Sequence, residues 1–81
     1  MDKPGDTPIY LERINSSRNM ARFYAMSIQP TLFGEVSLIR NWGRVGTSGR
    51  NKIETSPDMD GLTTTKTRVA RRKRQRGYTE S

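Results

Sequence analysis

The stretch Glu35-Val36-Ser37-Leu38-Ile39-Arg40-Asn41-Trp42, running on into Gly43-Arg44-Val45-Gly46-Thr47-Ser48-Gly49, decides how this chain folds. Its first eight residues alternate. Val36, Leu38, Arg40 and Trp42 share one face, and Ser37, Ile39 and Asn41 the other, which is the period of a half-buried strand. Glycine then recurs at every third position, Gly43, Gly46 and Gly49, and predicts a tight and unusual backbone path. Beyond it, Asn51, Ile53 and Thr55 alternate with Lys52 and Glu54. The two runs therefore read as a hairpin closed by a glycine-rich turn.

Upstream of this hairpin, the same period appears twice. Ile9, Leu11 and Arg13 oppose Tyr10, Glu12 and Ile14; Phe23, Ala25 and Ser27 oppose Tyr24, Met26 and Ile28. Between them, Asn15-Ser16-Ser17-Arg18-Asn19 has the side chains that bond to nearby backbone in turns. Gln29-Pro30-Thr31-Leu32-Phe33-Gly34 reads as a loop, because proline cannot continue a central strand. Downstream, Ser56-Pro57-Asp58 has the form of a helix start, with a capping hydroxyl, proline at the first helical position and an acid in the first turn. A helix is predicted from there to about Arg76, with Gly77 ending it. Its expected inward stripe is Met59, Leu62, Lys66, Val69 and Lys73, the lysine stems reaching back to solvent. Gly61 and Thr63-Thr64-Thr65 weaken its first half. The fold class is thus α+β: an antiparallel sheet of about four strands with one C-terminal helix across one face. Residues 1–8 are expected to be a flexible lead-in, 9–78 the domain, and 79–81 a tail.

Eighty-one residues leave room for one domain. Only 31% of them are apolar, so the core must be a thin layer between sheet and helix. There is no cysteine and no histidine, which removes disulfides, thiolate metal sites and the commonest general base. No metal or cofactor is expected. The carboxylates are scattered, and Asp58 with Asp60 sits where an acid offsets a helix dipole. Gly43 to Gly49 lacks the Gly-Lys-Ser/Thr ending of a nucleotide-binding loop. Enzyme activity is not expected. No apolar run approaches the ~20 residues that span a bilayer, and Met1 to Asp6 is polar, so the expectation is a cytoplasmic protein, nucleoid-associated if bacterial.

Charge is the strongest compositional signal. Fifteen Lys and Arg face eight Asp and Glu, and the net charge is +7. Seven of those cations fall between Lys66 and Arg76, with no acid among them. Such a run can be a solvated helix face; at this density it favours a polyanion, and nucleic acid is the commonest one inside cells. Trp42, the single tryptophan, is open to two readings. It can plug the edge of a small core, or lie partly open as a stacking platform for a sugar or base, with Arg44 and Arg50 on phosphates.

Ser37 to Thr47, with Gly49 and Lys52 after it, resembles the signature of the WGR domain, a module named for its Trp-Gly-Arg triplet. That module occurs in DNA-damage-dependent poly(ADP-ribose) polymerases and in bacterial proteins, some of them little more than the domain. Asn19 with Phe23-Tyr24 resembles the family's second-strand region, and Arg71-Arg72-Lys73-Arg74 before Gly77-Tyr78 resembles the ending of short bacterial members. The likeness covers Ile9 to Tyr78. It implies a curled antiparallel sheet crossed by one helix, and binding to nucleic acid. In the polymerases the domain sits at a DNA break with its tryptophan against the sugar near the strand terminus, which by position is Trp42. The family arginine, here Arg44, holds neighbouring domains or lies near DNA; here it can contact phosphate, contact a protein or brace the turn. Catalytic residues are not carried over. The Gly61–Thr65 stretch departs from the Ala- and Leu-rich helix of the family.

The expected function is a nucleic-acid-binding module for double-stranded DNA, with a preference for ends or breaks. The expected contacts are Arg40, Trp42, Gly43, Arg44, Arg50 and Lys52 from the hairpin, and Arg71, Arg72, Lys73, Arg74 and Arg76 from the helix. RNA or another polyanion is the variant reading. The alternative is a protein–protein adaptor using the Trp42–Arg44 surface, with non-specific polyanion binding by the helix. A monomer is expected.

Overall fold

The computed structural model describes residues 7–80. The first six residues of the expected lead-in, and Ser81 of the expected tail, lie outside that range. The chain runs β1 (Ile9–Asn15), a 3-10 turn (Ser16–Arg18), β2 (Met20–Pro30), β3 (Val36–Arg44), β4 (Arg50–Ser56), α1 (Met59–Gln75) and β5 (Thr79–Glu80). The strands form one sheet in the order β4-β3-β2-β1-β5, and each pairing is antiparallel. The helix crosses one face, so the expected α+β architecture holds.

Register follows from the alternation. Leu11 lies opposite Tyr24, Tyr24 opposite Trp42, and Trp42 opposite Arg50. Ile9, Met26 and Arg40 form the next row, and Ile28 with Leu38 the one after. These rows face the helix. Leu11, Met26 and Leu38 are almost fully buried beneath Leu62 and Ala70, with Ile9, Val36, Met59 and Val69 packed around them. The opposite face stays open. There Tyr10 stacks on Phe23 with ring centroids 5.9 Å apart, and Ile14 and Ile53 are exposed.

The helix begins later than predicted. Asp58, not Ser56, is its N-cap, and the Asp58 carboxylate accepts from the Asp60 N–H at 3.0 Å. Ser56 Oγ instead accepts from the Asp58 N–H, also at 3.0 Å, so Pro57 bridges two successive side-chain turns outside the helix. The inward stripe is Leu62, Lys66 and Ala70, flanked by Met59 and Val69. Lys66 does not reach back to solvent as expected. It is 3% exposed, and its ammonium donates to the Thr7 carbonyl, a partner supplied by the segment entering β1. The fifth strand was not visible in the sequence. Glu80 pairs with Leu11 and Thr79 with Glu12, which draws residues assigned to the tail onto the edge of the sheet.

Candidate nucleic-acid interface

The groove at one end of the sheet is built from β2, β3 and the C-terminal turns of α1. Asn19 takes a left-handed conformation (φ 52) and turns the chain from the 3-10 segment into β2. Arg22 then lies opposite both Arg13 of β1 and Arg44 of β3. Three guanidinium side chains thus share one row and one face, the face that also carries Leu11, Tyr24, Trp42 and Arg50 one row along. Like charges directly opposite in a sheet are destabilising, so this arginine row is held together at a cost.

The aromatic row stands beside it. Tyr24 and Trp42 stack with centroids 5.8 Å apart and an interplanar angle of 16°. Tyr24 is buried and belongs to the core; Trp42 is half-buried, packed against the core at its margin. One portion of Trp42 seals the core, and the remainder opens into the groove. From the helix, Lys73 places its ammonium 4.6 Å from the Tyr24 ring centroid and 5.3 Å from that of Tyr78. A cation over an aromatic face gains roughly 0.5–1 kcal/mol when exposed and more when desolvated. Partial burial, and then repulsion from Arg76, Arg22 and Arg72, lowers the Lys73 pKa below its ordinary 10.5. Arg22 of the sheet and Arg72, Lys73 and Arg76 at the helix end therefore stand close enough to feel one another.

The resulting groove has a volume of about 500 Å³. Aromatic surface from Phe23, Tyr24, Trp42 and Tyr78 and cations from Arg18, Arg22, Arg44 and Lys73 line it, and among the described lining residues none is acidic.

The turn that carries the triplet is tightly closed. A Cβ on Gly49, whose φ is +68, would overlap the Trp42 carbonyl oxygen and stand 2.9 Å from the Phe23 ring. A Cβ on Gly43 would lie 2.8 Å from the Gly49 Cα. The two glycines thus let the ends of the turn touch backbone to backbone, as their spacing suggested. The Asn41 side-chain amide donates to the Ser48 and Arg50 carbonyls at 2.9 and 3.0 Å and to Asn51 Oδ1 at 2.7 Å. Thr47 closes onto the Arg44 carbonyl through its N–H and its hydroxyl. Arg44 itself donates to the Asn19 carbonyl at 3.3 Å and so ties the β3 end to the β1–β2 turn.

The predicted residues are gathered unevenly. Trp42, Gly43, Arg44 and Lys73 line the groove. Arg50 lies in register with Trp42, and Arg72 and Arg76 act on Lys73 from beside it. The others are elsewhere. Arg40 is ion-paired with Glu54 under the helix, its Nε buried without a hydrogen-bond partner. Lys52 is exposed on the edge strand opposite Arg40. Arg74 is ion-paired with Glu80. Arg71 lies with Arg68 in a shallow depression beside Thr63, Thr64 and Thr67. Arg18 and Arg22 were missed. Nothing local to them in sequence distinguishes them from other surface arginines, whereas pairing Tyr24 with Trp42 by alternation would have placed Arg22 beside Arg44.

Fold and groove define a small α+β domain that presents an aromatic pair among cations at one end of its sheet. The chain belongs to the WGR domain family, whose model matches residues 7–81. It is 46% identical over 70 residues to the protein named Uncharacterized protein y4dW of Sinorhizobium fredii (strain NBRC 101917 / NGR234), a match covering 86% of this chain and 34% of the relative. The chain therefore spans about a third of that relative's length. No solved structure gives a significant match. Among the described residues, no helix is long and apolar enough to cross a membrane.

Proposed function

We propose that this domain binds double-stranded DNA and prefers its ends, seating the terminal nucleotide against the open part of Trp42. One observation carries the reading: an aromatic stack and the cations Arg18, Arg22, Arg44 and Lys73 share a single groove, with no acid among its described lining residues. Stacking on an aromatic ring stabilises an exposed sugar or base without regard to sequence. The guanidinium row is repulsive until an anion lies across it, and a phosphate backbone supplies anions in series. In the interior of a duplex, base faces are covered by their neighbours, so a stacking platform is satisfied only where a strand stops. Arg44, Arg22, Arg18 and Lys73 are the phosphate contacts in this reading, and Arg40 is not among them.

A labelled short duplex, displaced by either a linear competitor or a covalently closed circle of equal base content, tests the proposal by fluorescence anisotropy. The linear form should compete better per mole of base pairs. Equal competition, with binding lost in moderate salt, would reduce the domain to a non-specific cationic anchor. The adaptor reading would then take its place, with Arg44 and Trp42 as the protein-facing pair.

A further inference from the structure

The end of the sheet opposite the groove is its chemical inverse. The β2–β3 tip, residues 31–35, presents Leu32 at 98% and Phe33 at 86% exposure. This tip is a built turn. The Thr31 N–H donates to the Glu35 carbonyl at 2.9 Å, and the Thr31 hydroxyl accepts from the N–H groups of Phe33 and Glu35, each at 3.2 Å. Directly beneath it, Ile28, Pro30, Val36 and Met59 line an apolar depression of about 300 Å³. Glu35 sits at the tip, and Asp58 and Asp60 open the helix beside Met59. No Lys or Arg occurs in residues 28–38 or 54–65. Eight residue steps along β3 lead from Val36 to Arg44, roughly 26 Å at the rise of a strand, so the acidic apolar end and the cationic aromatic end are well apart.

We propose that this tip docks into the groove of a second copy of the chain, giving head-to-tail association. Charge decides the arrangement. Tip against tip would oppose Glu35, Asp58 and Asp60 to themselves, and groove against groove would oppose two arginine rows. Tip against groove brings those acids to Arg18, Arg22, Arg44 and Lys73, and brings Phe33 to the aromatic surface of Trp42 and Tyr24. A pair joined in this way leaves one tip and one groove free at its two ends, so such a contact does not close on itself and propagates as an open chain. The groove is the one assigned above to DNA, and in that respect the inference rests on that reading: a duplex and a neighbouring tip compete for it.

Sedimentation velocity of the full chain at low salt, over a wide concentration range, tests the idea. The expected result is a weight-average mass that keeps rising with concentration beyond a dimer and falls as salt is raised. Two variants dissect it: Leu32→Ser with Phe33→Ser at the exposed tip, and Arg18→Glu with Arg22→Glu in the groove, where the change also relieves the arginine row. Each alone should be monomeric. Mixed one to one, they should form heterodimers that grow no further, because the tip variant keeps a groove and the groove variant keeps a tip. A wild-type chain that stays monomeric, a variant that still associates by itself, or a mixture without heterodimers would overturn the proposal. Adding a short duplex separates the two readings. Dissolution of the chains supports both. Association that a duplex neither binds nor dissolves removes the DNA reading and leaves the head-to-tail contact standing.

Discussion

At the scale of single residues, the groove carries a cost in stability. Arg22 lies between Arg13 and Arg44 in register, and like charges directly opposite one another destabilise a sheet. Arg22→Gln should therefore raise the thermal midpoint of the free domain while weakening its hold on a duplex; a variant that loses both would show that Arg22 braces the fold instead. Lys73 makes the same point through pH. Its folded pKa is depressed by burial and by Arg76, Arg22 and Arg72, so in the window between that value and 10.5 the unfolded chain binds more protons than the folded one. Stability must then increase as pH rises through this window, the penalty for the charged amine being fully present below it and gone above it. Denaturant titrations from neutral to alkaline pH should show that rise in the wild type and a flatter profile in Lys73→Met. Gly49 has the opposite character. A side chain there meets the Trp42 carbonyl and the Phe23 ring at a positive φ, so Gly49→Ala should cost about 1–3 kcal/mol and dislodge Trp42. How much of the site was legible divides along these residues. Trp42, Arg44 and the glycine spacing are local in sequence and were read. Arg22 joins the site through strand register and Arg18 through the 3-10 turn that precedes β2, while Arg40, in the next row of β3, is turned to Glu54 on the neighbouring strand.

At the scale of elements, alternation is the signal that survived. The strands β1 to β3 each have a buried and an open face, so a two-residue period identifies them and their inward residues, whereas β4 has no buried residue and leaves its one apolar side chain, Ile53, exposed. The strand β5 has two residues and no period to detect; it exists because the helix returns the chain beside β1. The helix is the weakest element by composition, and its details were the least legible. Ser56, Pro57 and Asp58 can each occupy a cap position, and the side-chain bonds in space, not the residue types, select Asp58. Lys66 was misplaced because its partner, the Thr7 carbonyl, lies 59 residues away. Within this element, Gly61 carries no evident structural duty. A Cβ there would meet only the Asp58 carboxylate at 3.9 Å. Gly61→Ala should thus stabilise the domain by up to about 1 kcal/mol through helix propensity and the unfolded chain, a rise of roughly 4–8 °C in midpoint for a domain of this size. A fall in midpoint would mean that the first helical turn needs the freedom of glycine.

For the whole molecule, the relevant quantity is the sidedness of its +7 charge. If every Lys and Arg acted as one diffuse anchor, removing any of them would weaken DNA binding alike. The fold instead sorts the helix cations. Lys73, with Arg72 and Arg76 acting on it, belongs to the groove cluster, whereas Arg68 and Arg71 lie in another depression beside Thr63 and Thr64. Each phosphate neutralised on duplex DNA contributes about −0.9 to the slope of log affinity against log salt. Four groove cations, Arg18, Arg22, Arg44 and Lys73, set an expected slope of roughly −3.6, made steeper by those among Arg50, Arg72 and Arg76 that reach the backbone. Arg22→Gln should make that slope shallower by about one unit, and Arg68→Gln with Arg71→Gln should leave it nearly unchanged. A duplex bound through the groove would further leave Leu32 and Phe33 facing away from it, at the far end of β3. At protein concentrations too low for tip and groove to meet, the Leu32→Ser and Phe33→Ser changes should then leave both slope and affinity where they were; at concentrations where chains form, they should raise the apparent affinity, because the competing tip is gone. Equal losses at the helix flank and in the groove would instead show a protein held by net charge, with Trp42 and its arginine row incidental to binding.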